Sequence, residues 1–251
     1  MKAYAVIKPA AAKQLIAKGV AAHPIVQRAL QEGTIIVTLG TTNAYVAAEL
    51  LGVPIDHGAF AAGVIDDRWN VNARIGEAQE IAIVRGKRAE ADPDEVLKSL
   101  GAGDVVIKGG NALDPFGTVG VLMASPTGGT IGRHIPAALA RGVDVVMPIS
   151  VVKSVHASIS DLAPQLGSQR MDLGDGLACG LYPLIGTLVT EIEALDLLFS
   201  VEAAHVASGG VGPGIGSISV VLEGSEDDVS RAYALLTELA DEQEPLVQGR
   251  P

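Results

Sequence analysis

Cysteine, aromatic side chains and positive charge are all scarce in this chain, and each scarcity closes off a class of function. A single cysteine, Cys179, in 251 residues excludes an internal disulfide framework and any thiolate-rich metal cluster, which suits a reducing compartment. Between Ala178 and Gly180 it reads first as a small buried residue, with a nucleophile as the alternative. Only 3% of residues are aromatic, so the core has to be built from Ala, Val, Leu and Ile. The 18 Lys and Arg stand against 29 Asp and Glu, for a net charge of −11 and an isoelectric point near 4.8. No basic stripe can be drawn that would follow a phosphate backbone or an anionic bilayer, so neither nucleic acid nor membrane is an expected partner. Long apolar runs are missing too, since Gly, Pro or charge interrupts each one. Met1-Lys2-Ala3-Tyr4, followed by Lys8, Pro9, Lys13 and Lys18, makes no signal-peptide core. A cytoplasmic protein is expected.

Glycine and small aliphatic residues are plentiful. The 30 glycines amount to about 12%, against a usual roughly 7%, and point to tight turns and close backbone approaches. With 48% hydrophobic positions, one large domain or two smaller ones would fit. Leu15, Ile16, Val20, Ile25, Val26 and Leu30 recur at helical spacing and predict two short helices over 9–31, broken near Gly19 and His23-Pro24. Residues 34–39 are a β-branched run ended by Gly40-Thr41-Thr42-Asn43, with a helix over 44–51. Further strands are predicted at 80–85, 104–108, 118–124 and 143–149, the last running on to Lys153. Asp92-Pro93-Asp94-Glu95 opens a helix through Leu100, and another helix ends near Ala140. Apolar strands alternating with helices imply an α/β fold whose mostly parallel sheet is covered on both faces.

The texture changes after about residue 170. Strands at 177–185, 201–207 and 217–222, helices at 190–199 and 227–240, and a last strand near Leu246-Val247 describe a small ferredoxin-like α+β domain. Domains of 1–168 and 169–251 are expected. The glycine-dense segment 208–216 reads as a flexible hairpin connection, or as a lid or anion-binding nest. One sheet face of the small domain, with few charges in 201–207, would be apolar if left open, so a homo-oligomer is expected.

In an open parallel sheet, ligands bind at the carboxyl ends of the strands. Three Gly/Thr-rich loops fall at such ends. Gly40-Thr41-Thr42-Asn43 enters a helix and offers backbone N–H groups and hydroxyls to an anion. Thr127-Gly128-Gly129-Thr130 has the same design. Lys108-Gly109-Gly110-Asn111-Ala112-Leu113-Asp114 adds a cation, an amide and a carboxylate.

These loops, in this order, resemble those of the superfamily of ribose-5-phosphate isomerase, glucosamine-6-phosphate deaminase and coenzyme A transferases. The likeness covers residues 9–160: the strand, Gly40-Thr41-Thr42 loop and helix resemble its opening phosphate-loop unit, and 108–114 its Gly-Ala-Asp loop. Thr127-Gly128-Gly129-Thr130 and a strand ending at Lys153 follow. A ferredoxin-like lid accompanies the isomerase barrel in that family, placed differently along the chain. The resemblance implies that fold with a phosphate-binding loop. Isomerases of the family carry a Lys at the head of the glycine loop and a Glu just beyond it, where this chain has Pro126-Thr127 and Ile131-Gly132-Arg133. No glutamate lies between Glu95 and Glu191, which also removes the acyl-accepting carboxylate of a coenzyme A transferase from the central sheet.

Acid–base chemistry is left to Asp114, Lys108, Lys153 and the histidines. Asp114 is the expected base, although Asp114-Pro115-Phe116-Gly117 equally reads as a β-turn. Lys108 and Lys153, at strand ends, would stabilise developing negative charge. His134, in the first turn behind the glycine loop, is a candidate ligand donor or a surface histidine, and His156 has no special spacing. The histidines are scattered and Asp66-Asp67-Arg68 reads as a turn, so no metal is expected. With no dinucleotide or Walker fingerprint, no cofactor is expected either. The sequence therefore predicts an enzyme acting on a small anionic, phosphorylated metabolite by isomerase- or lyase-type chemistry. The alternative is a metabolite-sensing or assembly protein that keeps the same pocket.

Overall fold

The structure, a computed structural model, describes residues 1–66, 70 and 78–244. In chain order it contains β1 (Lys2–Ile7), α1 (Pro9–Ala22), α2 (Pro24–Glu32), β2 (Thr34–Val37), α3 (Thr41–Leu51), β3 (Ile81–Val84), β4 (Lys87–Arg88) and α4 (Pro93–Leu97). Next come β5 (Val105–Ile107), β6 (Ala112–Leu113), β7 (Val119–Met123), α5 (Gly129–Ala140), β8 (Asp144–Pro148), α6 (Ile159–Leu162) and β9 (Gly180–Leu184). The chain closes with β10 (Thr187–Val189), α7 (Glu191–Phe199), β11 (Glu202–Gly209), β12 (Ser217–Glu223) and α8 (Glu226–Leu239).

The short β-branched runs of β2, β5 and β8 are buried nearly throughout, as strands covered on both faces must be. They lie side by side in a six-stranded sheet of order β10-β8-β5-β2-β3-β4. The first four strands are parallel, β3 runs antiparallel to β2, and β4 pairs antiparallel with β3. Helices α1, α2, α3 and α5 pack on this sheet. The core between them is aliphatic, with Leu15, Ile16, Ile35, Ile36, Ile107, Ile135 and Met147 fully buried. The α/β architecture with a mostly parallel sheet is as the sequence predicts.

Sheet membership differs from the sequence expectation. Residues 177–185 were expected to open the C-terminal sheet, but β9 pairs antiparallel with β7, in a three-stranded sheet β6-β7-β9. The place beside β12 is taken by β1, which pairs with it from Lys2↔Glu223 to Ile7↔Ile218. In the other direction, β10 joins the central sheet beside β8. Strands thus cross the boundary expected near 168 both ways. Partners more than 200 residues apart are chosen by buried area, which local periodicity does not report. Alternate β1 residues (Ala5, Ile7) are buried, on a strand that packs against α8.

The break expected at Gly19 is also absent, since α1 runs through it. A Cβ at this position would lie 2.4 Å from the Cβ of Ala194, so the glycine lets α1 and α7 approach closely. The helix ends where foreseen, at His23-Pro24, with the His23 side chain capping α2. Asp92 caps α4, accepting from the Asp94 N–H at 2.8 Å. Asp67 and Arg68 of the expected acidic turn and the expected strand at 246–247 fall outside the described residues. No described helix is long and apolar enough to cross a membrane.

Candidate active site

At the carboxyl ends of β2, β5 and β8 the three glycine loops meet around a cavity of about 700 Å³. Two helices begin at its wall. Gly40 precedes α3 and Gly128 precedes α5, and neither N-terminus is capped by a side chain. The first N–H groups of a helix have no partner within it and carry the positive end of the dipole, so two N-termini of this kind make an anion-attracting wall. Gly128 has φ +78°, a left-handed conformation costly for any residue with a Cβ. That conformation turns the chain from β7 into α5.

Polar groups line the rest of the wall. Lys108 follows β5 and is only 8% exposed; its Nζ donates to the Gly109 carbonyl at 2.7 Å. Lys153, in a short 3₁₀ turn after β8, donates to the next carbonyl, that of Gly110, also at 2.7 Å. Burial and the neighbouring Lys153 pull Lys108 down to about 8. Burial and Lys13 do the same to Lys153, also to about 8, with Glu191 opposing. Asn43, 1% exposed, donates through Nδ2 to the Thr38 carbonyl at 2.9 Å, while its Oδ1 has no hydrogen-bond partner among the described residues. Asn111 is used up in holding the wall together, donating to the Gly63 carbonyl and accepting from the Leu122 N–H.

Of the residues singled out in the sequence, Gly40, Thr41, Thr42, Asn43, Lys108, Gly109, Gly110, Asn111, Gly128, Gly129, Thr130 and Lys153 line this one cavity. Asp114, Thr127 and His134 are not among its lining residues. Asp114 cannot serve as the expected base. Its Oδ1 accepts from the N–H groups of Phe116 and Thr118, and its Oδ2 from that of Ile159. Burial would raise its pKa, but these hydrogen bonds outweigh it and hold the carboxyl below its ordinary value. The turn is present as well, with the Gly117 N–H donating to the Asp114 carbonyl. Thr127 pairs its hydroxyl with Ser125. His134 is fully buried and meets Glu80 at 2.6 Å, and His156 is exposed.

Glu80, Asp94 and His134 bring one ligand atom each within 4.8 Å of one another. Arg133 spans both carboxylates, at 3.0 Å from Glu80 and 3.2 Å from Asp94, so the cluster already carries its compensating charge and joins α5 to the start of β3 and to α4. No family model, curated protein or solved structure matches this chain. The function therefore has to be argued from the site itself.

Two site residues escaped the sequence reading. Lys13 lies one helical turn after Pro9, and both line the cavity from α1; their i, i+4 spacing is the only trace of this in the sequence. Glu191, at the first position of α7 and fully buried, accepts from the Ser150 hydroxyl and from the Val151 N–H, the latter at 2.9 Å. It fixes the turn that carries Lys153, and burial raises its own pKa. The glycine-dense segment 208–216 lies outside the cavity lining.

Proposed function

We propose that the cavity binds a small phosphorylated metabolite and that the protein is an enzyme of isomerase or lyase type. In this reading Lys108 and Lys153 stabilise negative charge that develops on the substrate. One observation carries the proposal: in a chain of net charge −11, three lysines and two helix N-termini without side-chain caps face the same cavity, against the one carboxylate of Asp66 among its described lining residues. Preorganised cations and N–H dipoles in a partly dehydrated site are what an anion, and an enolate-like intermediate, require. The order of the loops supports the likeness to the ribose-5-phosphate isomerase superfamily. Helices α7 and α8 on the β1-β12-β11 sheet support a ferredoxin-like unit with β1 recruited into it. Tyr4 and Val6, 57% and 61% exposed on that sheet, support a homo-oligomer, and the reducing-compartment composition supports a cytoplasmic site.

The saturation of Asp114 favours the second reading, a sensor that binds the same metabolite unchanged. Calorimetric titration with inorganic phosphate and a panel of sugar phosphates tests the binding. Saturation at about 100 times the dissociation constant should stabilise the fold by roughly 2.7 kcal/mol, and Lys108→Met should remove the effect. If no phosphorylated compound shifts the melting midpoint, the proposal fails. Mass spectrometry of each hit then separates turnover from sensing.

A further inference from the structure

Building on the anion-binding reading above, we propose that the metabolite also carries an aldehyde or ketone, and that Lys108 joins it as an imine. Lys108 is the more buried of the two lysines that donate to adjacent carbonyls of the glycine loop, 8% exposed against a partly exposed Lys153. Its hydrogen-bond partner is the carbonyl of its own neighbour, Gly109, with no carboxylate in contact among the described residues. Lys13, by contrast, is paired with Glu244. Beside Gly109 lies the unpartnered Oδ1 of Asn43, 3.4 Å from where a Cβ on that glycine would sit. A buried acceptor without a donor calls for a ligand that brings one, and a carbinolamine hydroxyl or a substrate hydroxyl does so.

An amine attacks only when it is neutral, and an amine with a second cation beside it in a dehydrated pocket loses its proton most readily. With Lys108 at about 8, roughly a tenth of it is free amine at pH 7. Its Nζ lone pair adds to the carbonyl carbon and the C=O π pair moves to oxygen, which takes a proton from the Lys153 ammonium. The new secondary ammonium returns one proton to Lys153. The carbinolamine hydroxyl then takes a proton from Lys153 and leaves as water, and the nitrogen lone pair closes the protonated imine. Neutral Lys108, charged Lys153 and the carbonyl have become an iminium, neutral Lys153 and water. The iminium withdraws electrons from the adjacent C–H or C–C bond, as isomerase- or lyase-type chemistry requires.

Pyridoxal 5′-phosphate, an anionic aldehyde, is the probe. The full chain is incubated with it, reduced with borohydride and peptide-mapped, with pyridoxal as the uncharged control and inorganic phosphate as competitor. One adduct is expected, at Lys108, at least tenfold faster than with pyridoxal, suppressed by phosphate and increasing with pH through about 8. Lys108→Arg, which has no free amine to form an imine, should lose the adduct; should that variant fail to fold, labelling of Lys108 in the native chain and its suppression by phosphate carry the test. Adducts spread over surface lysines, or none at Lys108 in a protein that binds phosphate by calorimetry, overturn the imine and leave the anion site standing. Labelling of Lys108 that phosphate does not suppress overturns the combined substrate class. Absence of both labelling and phosphate binding overturns this inference and the proposed function together.

Discussion

Lys108 and Asp114 stand on the same loop, six residues apart, in two regions built on opposite principles. Around Asp114 each carboxylate oxygen is matched to a backbone N–H, two from its own turn and one from Ile159 at the start of α6. Around Lys108, among the described residues, charges crowd without counter-ions in contact, helix ends have no side-chain cap and the Asn43 Oδ1 has no donor. A buried polar group that is fully satisfied holds a fold together, whereas one left short of partners costs stability and is retained for a ligand. Both are buried polar residues on a glycine-rich loop; only their surroundings tell them apart.

That contrast is best broken by removing each side chain in turn, because the two stability changes should have opposite sign. Asp114→Ala leaves three backbone N–H groups without their acceptor and should cost about 3 kcal/mol or more in urea unfolding. Phosphate affinity of the folded fraction should stay within about twofold. The native carboxyl lies below its unfolded value, so its contribution is present above about pH 4 and is lost as pH falls through the native pKa. The variant should lack that acid limb. A folded Asp114→Ala protein that no longer binds phosphate would return Asp114 to the site.

Lys108→Met should instead raise stability by about 1–3 kcal/mol at pH 7, because it removes a desolvated charge, while abolishing anion binding. Between about 8 and 10.5 the unfolded chain holds the Lys108 proton and the native one does not. Wild-type stability therefore rises with pH across that window, and the advantage of the variant should shrink there. Phosphate affinity of the wild type should fall about tenfold or more from pH 7 to pH 9, as both lysines lose charge. A flat profile would mean that the helix ends bind the anion unaided.

The parts of this contrast that are local were legible in the sequence. Glycine and threonine after a β-branched run mark a loop at a strand end, and the three such runs do converge on one cavity. Lys108 could be picked out because a lysine straight after an apolar strand has nowhere to go but the strand's end; Lys153 was expected at a strand end too, but β8 stops at Pro148 and Lys153 stands in the 3₁₀ turn that follows. For Asp114 the sequence held two readings, a base and a turn, and the turn prevails because Ile159, 45 residues on, supplies the last N–H. Lys13 and Glu191 were hidden for the same reason, since each reaches the site only through the packing of α1 and α7. The pairing of β1 with β12 and the placing of the three-residue β10 depend on which apolar faces cover one another, a choice that no window of sequence contains.

The smallest effect tests where the anion-attracting wall ends. Lys13 lines the cavity and is paired with Glu244, so one carboxylate beyond α8 competes with any anion for the third lysine. Glu244→Gln should release that cation and raise phosphate affinity about two- to threefold at low salt, in keeping with the modest worth of a partly exposed ion pair. Screening should erase most of the gain at 0.5 M salt. Lys13→Met should lower affinity by a similar or larger factor and make Glu244→Gln silent when the two are combined, since the carboxylate then has no partner to withhold. If Glu244→Gln changes affinity equally with and without Lys13, the carboxylate acts through the general negative field of the chain, and the wall is Lys108, Lys153 and the two helix ends alone.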